Sequence, residues 1–369
     1  MAASGWFVRS ANVLPPGGFD HRCQTAEDRF RMTALLRRRH LPVLLAGAFT
    51  APPGRAQTPA GYPDRPITLV VPFLAGGSTD IAARILAERL APKLGPQGGG
   101  GARIVVENRA GAGGSVGTEW VRHRPADGYT LLLASASALG TNPAALPQQT
   151  PYDPVEDFTQ IAIIGGGPIV LVVPASSRFR TARELLDAIR AQPGRYTWAT
   201  SGAGGIGHLT GEYLKIMAGG LKAEHVPYRG GSAVMEALAK GEVDYSLEVL
   251  ASTAGHLRDG LSRGLAVSSL TRHPLFPDIP TLDEIGLKGF EVTTWNVLVG
   301  PRGLPAPIVA ALSAGVREVL AEPDVIRRMS QAGVDPAPPS TPESTRAFLA
   351  AELEKFREIV RRAEIRLGR

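Results

Sequence analysis

Cysteine is almost missing from this 369-residue chain, and its single thiol, Cys23, falls in a stretch that reads as separate from the folded body. A body without cysteine can form no disulfide. It also holds no thiol nucleophile and no cysteine for lipid attachment after cleavage of a leader. Long apolar runs are lacking too: nothing approaches the roughly 18 residues that a membrane-spanning helix needs. A phosphate-binding P-loop is absent. The histidines of the body, His123, His208, His225, His256 and His273, are too scattered to assemble a zinc spacing without cysteine. No metal, no cofactor and no catalytic residue is therefore expected.

Acidic residues are scarce in one region. Residues 1–56 carry eight arginines against Asp20, Glu27 and Asp28, whereas the remainder is almost neutral although the whole chain has a net charge of +6. A neutral body without basic-aromatic clusters argues against nucleic acid as a partner. The arginines instead fit an export signal. Arg37-Arg38-Arg39 precede the short apolar stretch Leu41–Phe49, which leads to the small-residue pattern Gly54-Arg55-Ala56. Cleavage is expected after Ala56, with the mature chain in the periplasm. Because a basic segment of this kind belongs at a terminus, residues 1–31 are read as an extension and Met32 as the start.

A chain this long exceeds the size of one hydrophobic core, so two domains are expected. Beyond the proline-rich joint at 59–66, apolar β-type runs alternate with amphipathic helical patterns. Strands are expected at 67–73, 103–106, 130–134, 169–173 and 196–200, and helices at 81–94, 182–191 and 209–218. Such alternation predicts an α/β fold with parallel sheets covered on both faces. Ligands of these sheets bind at the carboxyl ends of the strands.

Two loops stand at such ends. Phe73-Leu74-Ala75-Gly76-Gly77-Ser78-Thr79-Asp80 joins a strand to a helix, and its glycines let backbone amides approach a ligand. Asp80 serves either the site or merely the helix dipole. The second loop, Ser201-Gly202-Ala203-Gly204-Gly205-Ile206-Gly207-His208, matches G-x-G-x-x-G through Gly202, Gly204 and Gly207, with Glu224 downstream. That pattern offers an alternative, an oxidoreductase using NAD. An exported chain would not meet that cofactor. His208 either touches ligand or bonds within its own domain. The run Gly95–Gly101 reads as a flexible surface turn.

Seven phrases in order carry a resemblance: YPDRPITLVVPFLAGGSTDIAAR (62–84), VVENRAGAGGSVGTEWV (105–121), DGYTLLLASAS (127–137), YDPVEDF (152–158), TSGAGGIGHLTGEYL (200–214), VPYRGGSAVMEALAKGEVD (226–244) and FPDIPTLDEIG (276–286). Together they resemble the substrate-binding proteins of tripartite tricarboxylate transporters, the Bug family, over almost the whole mature chain. The resemblance implies a two-domain periplasmic-binding-protein fold of type II with the ligand cleft between the domains. Residues 57–162 and 284–369 would form domain 1, and 163–283 domain 2. It further implies a monomeric, non-enzymatic receptor that captures a small organic carboxylate and delivers it to a membrane permease or a sensor. Carried onto matching positions, the cleft would comprise Phe73, Ala75, Gly76, Gly77, Ser78, Thr79 and Asp80, then Ser135, Ala136 and Ser137, then Ser201, Gly202, Gly204, Gly205 and His208. One departure stands out. Where relatives commonly carry aspartate followed by asparagine, this chain has Glu248-Val249. Glu248 either faces the cleft or lies on an exposed edge.

Overall fold

The computed structural model describes residues 61–94, 102–362 and 364–365. The export signal, Met32, Cys23 and the Gly95–Gly101 run lie outside the described residues.

The strands are β1 (Ile67–Val71), β2 (Ile104–Asn108), β3 (Thr130–Ser135), β4 (Phe158–Pro174), β5 (Thr197–Thr200), β6 (Glu224–Pro227), β7 (Tyr245–Val249), β8 (Ser262–Val267), β9 (Thr293–Pro301) and β10 (Asp335–Pro336). The helices are α1 (Ser78–Leu90), α2 (Ser115–Arg122), α3 (Asn142–Ala145), α4 (Ala182–Ala191), α5 (Ile206–Met217), α6 (Gly231–Lys240), α7 (Leu250–Arg258), α8 (Ala306–Leu320), α9 (Pro323–Gln331) and α10 (Pro342–Arg362). Strands pair in the order β2-β1-β3-β9-β4-β7-β5-β6, with β8 and β10 also bonded to β4.

Parallel pairing, expected throughout, holds only within β2-β1-β3 and β7-β5-β6. The central strands β4 and β9 run antiparallel to their neighbours. The 17-residue β4 was legible only in its second half, because Gly165-Gly166-Gly167-Pro168 in its middle reads as a turn. A Cβ on Gly166 would lie 2.0 Å from the carbonyl oxygen of Thr294, so this glycine permits close strand approach.

Side-chain alternation builds a core on each face of the sheet. Leu69, Val71, Leu131 and Leu133 pack with Ile85, Leu86 and Leu90 of α1 and with Ile308, Leu312 and Val316 of α8. Val70, Leu132, Val297 and Val299 turn the other way, toward Leu349 and Phe356 of α10. Around β5 and β7, Val170, Val172 and Ala199 meet α6 and α7, while Leu171, Trp198 and Leu247 share a cluster with Leu185 of α4 and Leu209 of α5. Helix α4 has the bounds its sequence predicts. Thr181 and Glu184 form a reciprocal capping box at its start, a device contributing about 1 kcal/mol.

The chain passes twice between the two groups of strands. One passage is β4 itself, bonded to β9 up to Pro168 and to β7 and β8 from Ile169 onward. The other runs from Ser268 to Val292. Ser268 ties them together: its amide donates to the Ile169 carbonyl at 2.9 Å, its Oγ accepts from the Ile169 amide at 2.8 Å, and the same hydroxyl donates to the Val292 carbonyl.

Candidate ligand-binding site

Strand β1 ends at Val71, where Pro72 has no amide to continue the ladder, and α1 begins at Ser78. The intervening loop is held from beneath by Asp80. Its buried carboxylate accepts hydrogen bonds from the Gly76 amide at 2.9 Å, from Arg84 at 2.9 and 3.0 Å, and from Asn108 Nδ2 at 2.9 Å. Burial alone would push this carboxyl up, but those donors outweigh it and hold it below the usual carboxylate range. Asn108 Nδ2 also donates to the Phe73 carbonyl. Asp80 thus spends its oxygens on shaping the loop.

That shaping leaves the glycines clear. Gly76 takes φ +85°, a left-handed conformation natural to glycine, and a Cβ there would meet nothing within 4 Å. A Cβ on Gly77 would touch only the Leu74 carbonyl oxygen, at 3.7 Å. No side chain caps α1, so its first amides have no side-chain acceptor. Ala75 is exposed, Ser78 half-buried, and Thr79 donates from Oγ1 to Asn296 Oδ1 of β9 at 2.8 Å.

The second loop connects β5 to α5. Gly204 Nα–H donates to His208 Nδ1 at 3.1 Å, and His208 stacks on His225 with ring centres 3.8 Å apart. His225 is pushed down to about 3, chiefly by burial, which disfavours its charged form. Its Nε2 lies 2.7 Å from Thr200 Oγ1. His208 therefore bonds within its own loop. On the opposite side the loop is clasped by the segment following β3. Thr141 Oγ1 donates to the Gly204 carbonyl at 2.9 Å, and the Ile206 amide donates to Ser137 Oγ at 3.1 Å. Ser135 Oγ in turn accepts from the Ser137 amide, and Ala136 is fully buried between them. Gly205 lies against this contact, its Cβ position 3.6 Å from Ser137 Oγ. Gly202 faces open space.

The structure brings these segments together. Ser135 is in register with Asn296, which receives Thr79, and the Leu74 side chain lies 3.7 Å from the Cβ position of Gly230 at the start of α6.

Glu248 is buried, not on an exposed edge: it is 1% exposed near the carboxyl end of β7. Oε1 accepts from the Val249 amide at 3.0 Å and from Ser201 Oγ at 3.2 Å, while Oε2 has no partner. Burial pushes its carboxyl up to about 7 against the pull of those donors.

Several residues at this place were not anticipated as site residues. Gly230-Gly231 repeats the glycine-led helix start of Gly76-Gly77, a signal present in the sequence. Asn296, a buried amide ahead of the apolar run Val297-Leu298-Val299, is another. A shallow surface concavity of about 330 Å³ lined by Arg122, Tyr152, Asp157 and Arg357 shares no residue with these loops.

The dinucleotide pattern meets a geometric obstacle. Glu224 is the first residue of β6 and pairs with Thr197, the first of β5. It therefore sits at the end of the sheet opposite the glycine loop, where it could not reach a ribose held there. Gly207 is explained by packing, since a Cβ there would lie 2.5 Å from the Leu247 carbonyl oxygen.

Comparison with known proteins fits this arrangement. A family model described as "Tripartite tricarboxylate transporter family receptor" matches residues 82–365. Protein BugT of Bordetella pertussis is 34% identical over 325 residues, 88% of this chain and 96% of BugT. Among solved structures, an R. palustris protein described with adipate superposes with a TM-score of 0.77 at 31% identity, covering 83% of this chain and 99% of that one. MatC from Rhodopseudomonas palustris, described with bound malate, gives 0.75 at 30% identity, covering 81% and 100%. The fold is that of a periplasmic binding protein, mixed α/β with a sheet curled through two lobes. The chain belongs to the tripartite tricarboxylate transporter receptor family, the Bug solute-binding proteins.

Proposed function

We propose that this chain is an exported receptor that captures a small organic carboxylate between its two lobes and delivers it to a membrane permease, without chemical turnover. In this reading the lobes join at the two passages beside Ser268, so their boundaries fall near 168/169 and 292/293 rather than at 162/163 and 283/284. The observation that carries the proposal is the pair of glycine-led helix starts, Gly76-Gly77 before α1 and Gly202–Gly205 before α5: the first is tied through Thr79 to Asn296 beside Ser135, the second to Ser137, and open space lies beside Gly76 and Gly202. Unpaired amides at a helix start carry partial positive charge and hold a carboxylate without a formal cation. The binding loops are thus Phe73–Asp80, Ser135–Ser137 and Ser201–His208, with Asp80 and His208 shaping their loops and Glu248 forming the floor beneath Ser201.

The neighbours described with malate and adipate favour a dicarboxylate of similar size. The test is a thermal-shift and calorimetric screen of the mature chain. A ligand at about 100 times its dissociation constant adds about 2.7 kcal/mol to stability. Saturable binding of an organic acid, recovered unchanged after incubation, is expected. Tight binding of NAD with no response to any organic acid would overturn the reading.

A further inference from the structure

Glu248 is the one carboxylate of the loop cluster that has an oxygen to spare. Asp80 has four donors on its two oxygens. Glu248 has two donors, both on Oε1. The remaining oxygen, Oε2, is buried without a partner, and the carboxyl that carries it stands beside the candidate site. The carboxyl lies where β7 gives way to α7, beside Ser201 at the carboxyl end of β5 and beside Gly231 at the start of α6, whose Cβ position is 3.7 Å from Glu248 Cδ. The starts of α6 and α7 are in direct contact there, since a Cβ on Gly231 would lie 2.3 Å from Ser252 Oγ. Gly230, the preceding residue, meets Leu74 of the first loop. Around the carboxyl, Ser201, the Gly231 position and the Val249 amide at the start of α7 are the same kinds of group that compose the two binding loops.

In its ionised form, which prevails above about pH 7, this buried carboxylate oxygen is only an acceptor, so what completes it must be a donor. The helix starts around it supply amides, which suit the acidic end of a ligand. Glu248 suits the opposite kind of group. We propose that Glu248 determines ligand choice by accepting a hydrogen bond from an ammonium or hydroxyl group, so that the receptor selects amino- or hydroxy-substituted carboxylates over their unsubstituted counterparts. This rests on the receptor reading and narrows its ligand class. A polar site that has lost its partner discriminates more strongly than a merely misfitting apolar one, because the unpaired group stays buried in the wrong complex.

The experiment measures the affinity of the mature wild-type chain for acids in matched triplets: propionate, lactate and alanine; succinate, malate and aspartate; glutarate, 2-hydroxyglutarate and glutamate. In the triplet that binds, a substituted acid is expected to bind roughly tenfold or more tightly than the unsubstituted one. Whether the amino or the hydroxy acid leads identifies the donor. Glu248→Gln places an amide N–H where Oε2 stood, replacing the acceptor with a donor. The variant should lose roughly tenfold or more for an amino acid, and less for a hydroxy acid whose oxygen can accept from the new amide, while the unsubstituted acid changes little. An unsubstituted acid that binds the wild type as well as its substituted partners overturns the inference and leaves the receptor reading standing, as does a Gln variant that weakens all three alike. The wild-type comparison decides the matter even if the variant does not fold. Silence across every triplet overturns this inference, while the receptor reading stands or falls on the wider organic-acid screen.

Discussion

The two glycine-rich loops look alike in sequence and are built for opposite reasons. A Cβ on Gly76 would meet nothing within 4 Å and one on Gly77 only the Leu74 carbonyl oxygen, and the loop that carries them is braced by Asp80 with Arg84 and Asn108. In the second loop Gly204 is jammed: a Cβ there would lie 2.5 Å from Leu146 and 3.0 Å from Asn142 Oδ1. That loop is braced from outside, by Ser137 and Thr141 of the segment after β3. Glycine therefore leaves open space in one loop and permits contact with another part of the chain in the other. The second loop is the element that can report whether the two groups of strands have come together.

The strongest way to break this contrast is Gly77→Val. Gly77 has φ −77°, which any residue adopts, and its Cβ position has only an ordinary contact with the Leu74 carbonyl oxygen, so the variant should fold with little change in melting temperature. The added side chain occupies the approach to the start of α1. Binding of the best ligand should fall by about 100-fold or more, about 3 kcal/mol. Normal affinity in a folded variant would reduce the first loop to a structural turn.

A smaller effect separates the two buried carboxylates by pH. Asp80 is held low by its donors, so its contribution to stability is present in neutral solution and is lost as pH falls through its folded pKa. Glu248 behaves oppositely. Its carboxyl rises from 4.5 to about 7 on folding, so between those values the folded chain holds a proton that the unfolded chain has released. Stability from this group is intact below about 4.5 and falls by up to about 3 kcal/mol as pH rises through about 7. Glu248→Gln should therefore gain about 3 kcal/mol on the ligand-free wild type between pH 4 and pH 8, read from urea unfolding at both. An equal gap at both values would show that Glu248 is ionised and solvated in the folded chain.

What the sequence could reveal follows from how local each cause is. Helix α4 was legible to its ends because its capping box and apolar face, Leu185, Leu186 and Ile189, all lie within ten residues. Both glycine loops were legible for the same reason. The joining of β4 to β9 was not, since Gly165–Pro168 forms a local turn signal and only the distant Thr294 carbonyl explains Gly166. Nor was the character of Glu248, because Ser201 and Gly231, which lie against its carboxyl, are distant in sequence and on other parts of the chain. The difference between Gly76 and Gly204 belongs to this second kind: Leu146, which separates them, is 58 residues away from Gly204.

Thr141 offers the gentlest test of that difference. Its side chain is fully buried and donates to the Gly204 carbonyl, so Thr141→Val keeps the volume while leaving one carbonyl without its donor. One such bond contributes about 1 kcal/mol. If it belongs to the clasp that closes the two lobes, its loss weakens the closed state relative to the open one. Ligand must then supply the difference, and affinity should fall roughly fivefold. Solution scattering of the ligand-free variant should give a larger radius of gyration than wild type, with the two converging at saturating ligand. A lower melting temperature with unchanged radius and affinity would make the Thr141 contact ordinary packing. The second loop would then be as passive a turn as any other, and the contrast with the first would lose its functional meaning.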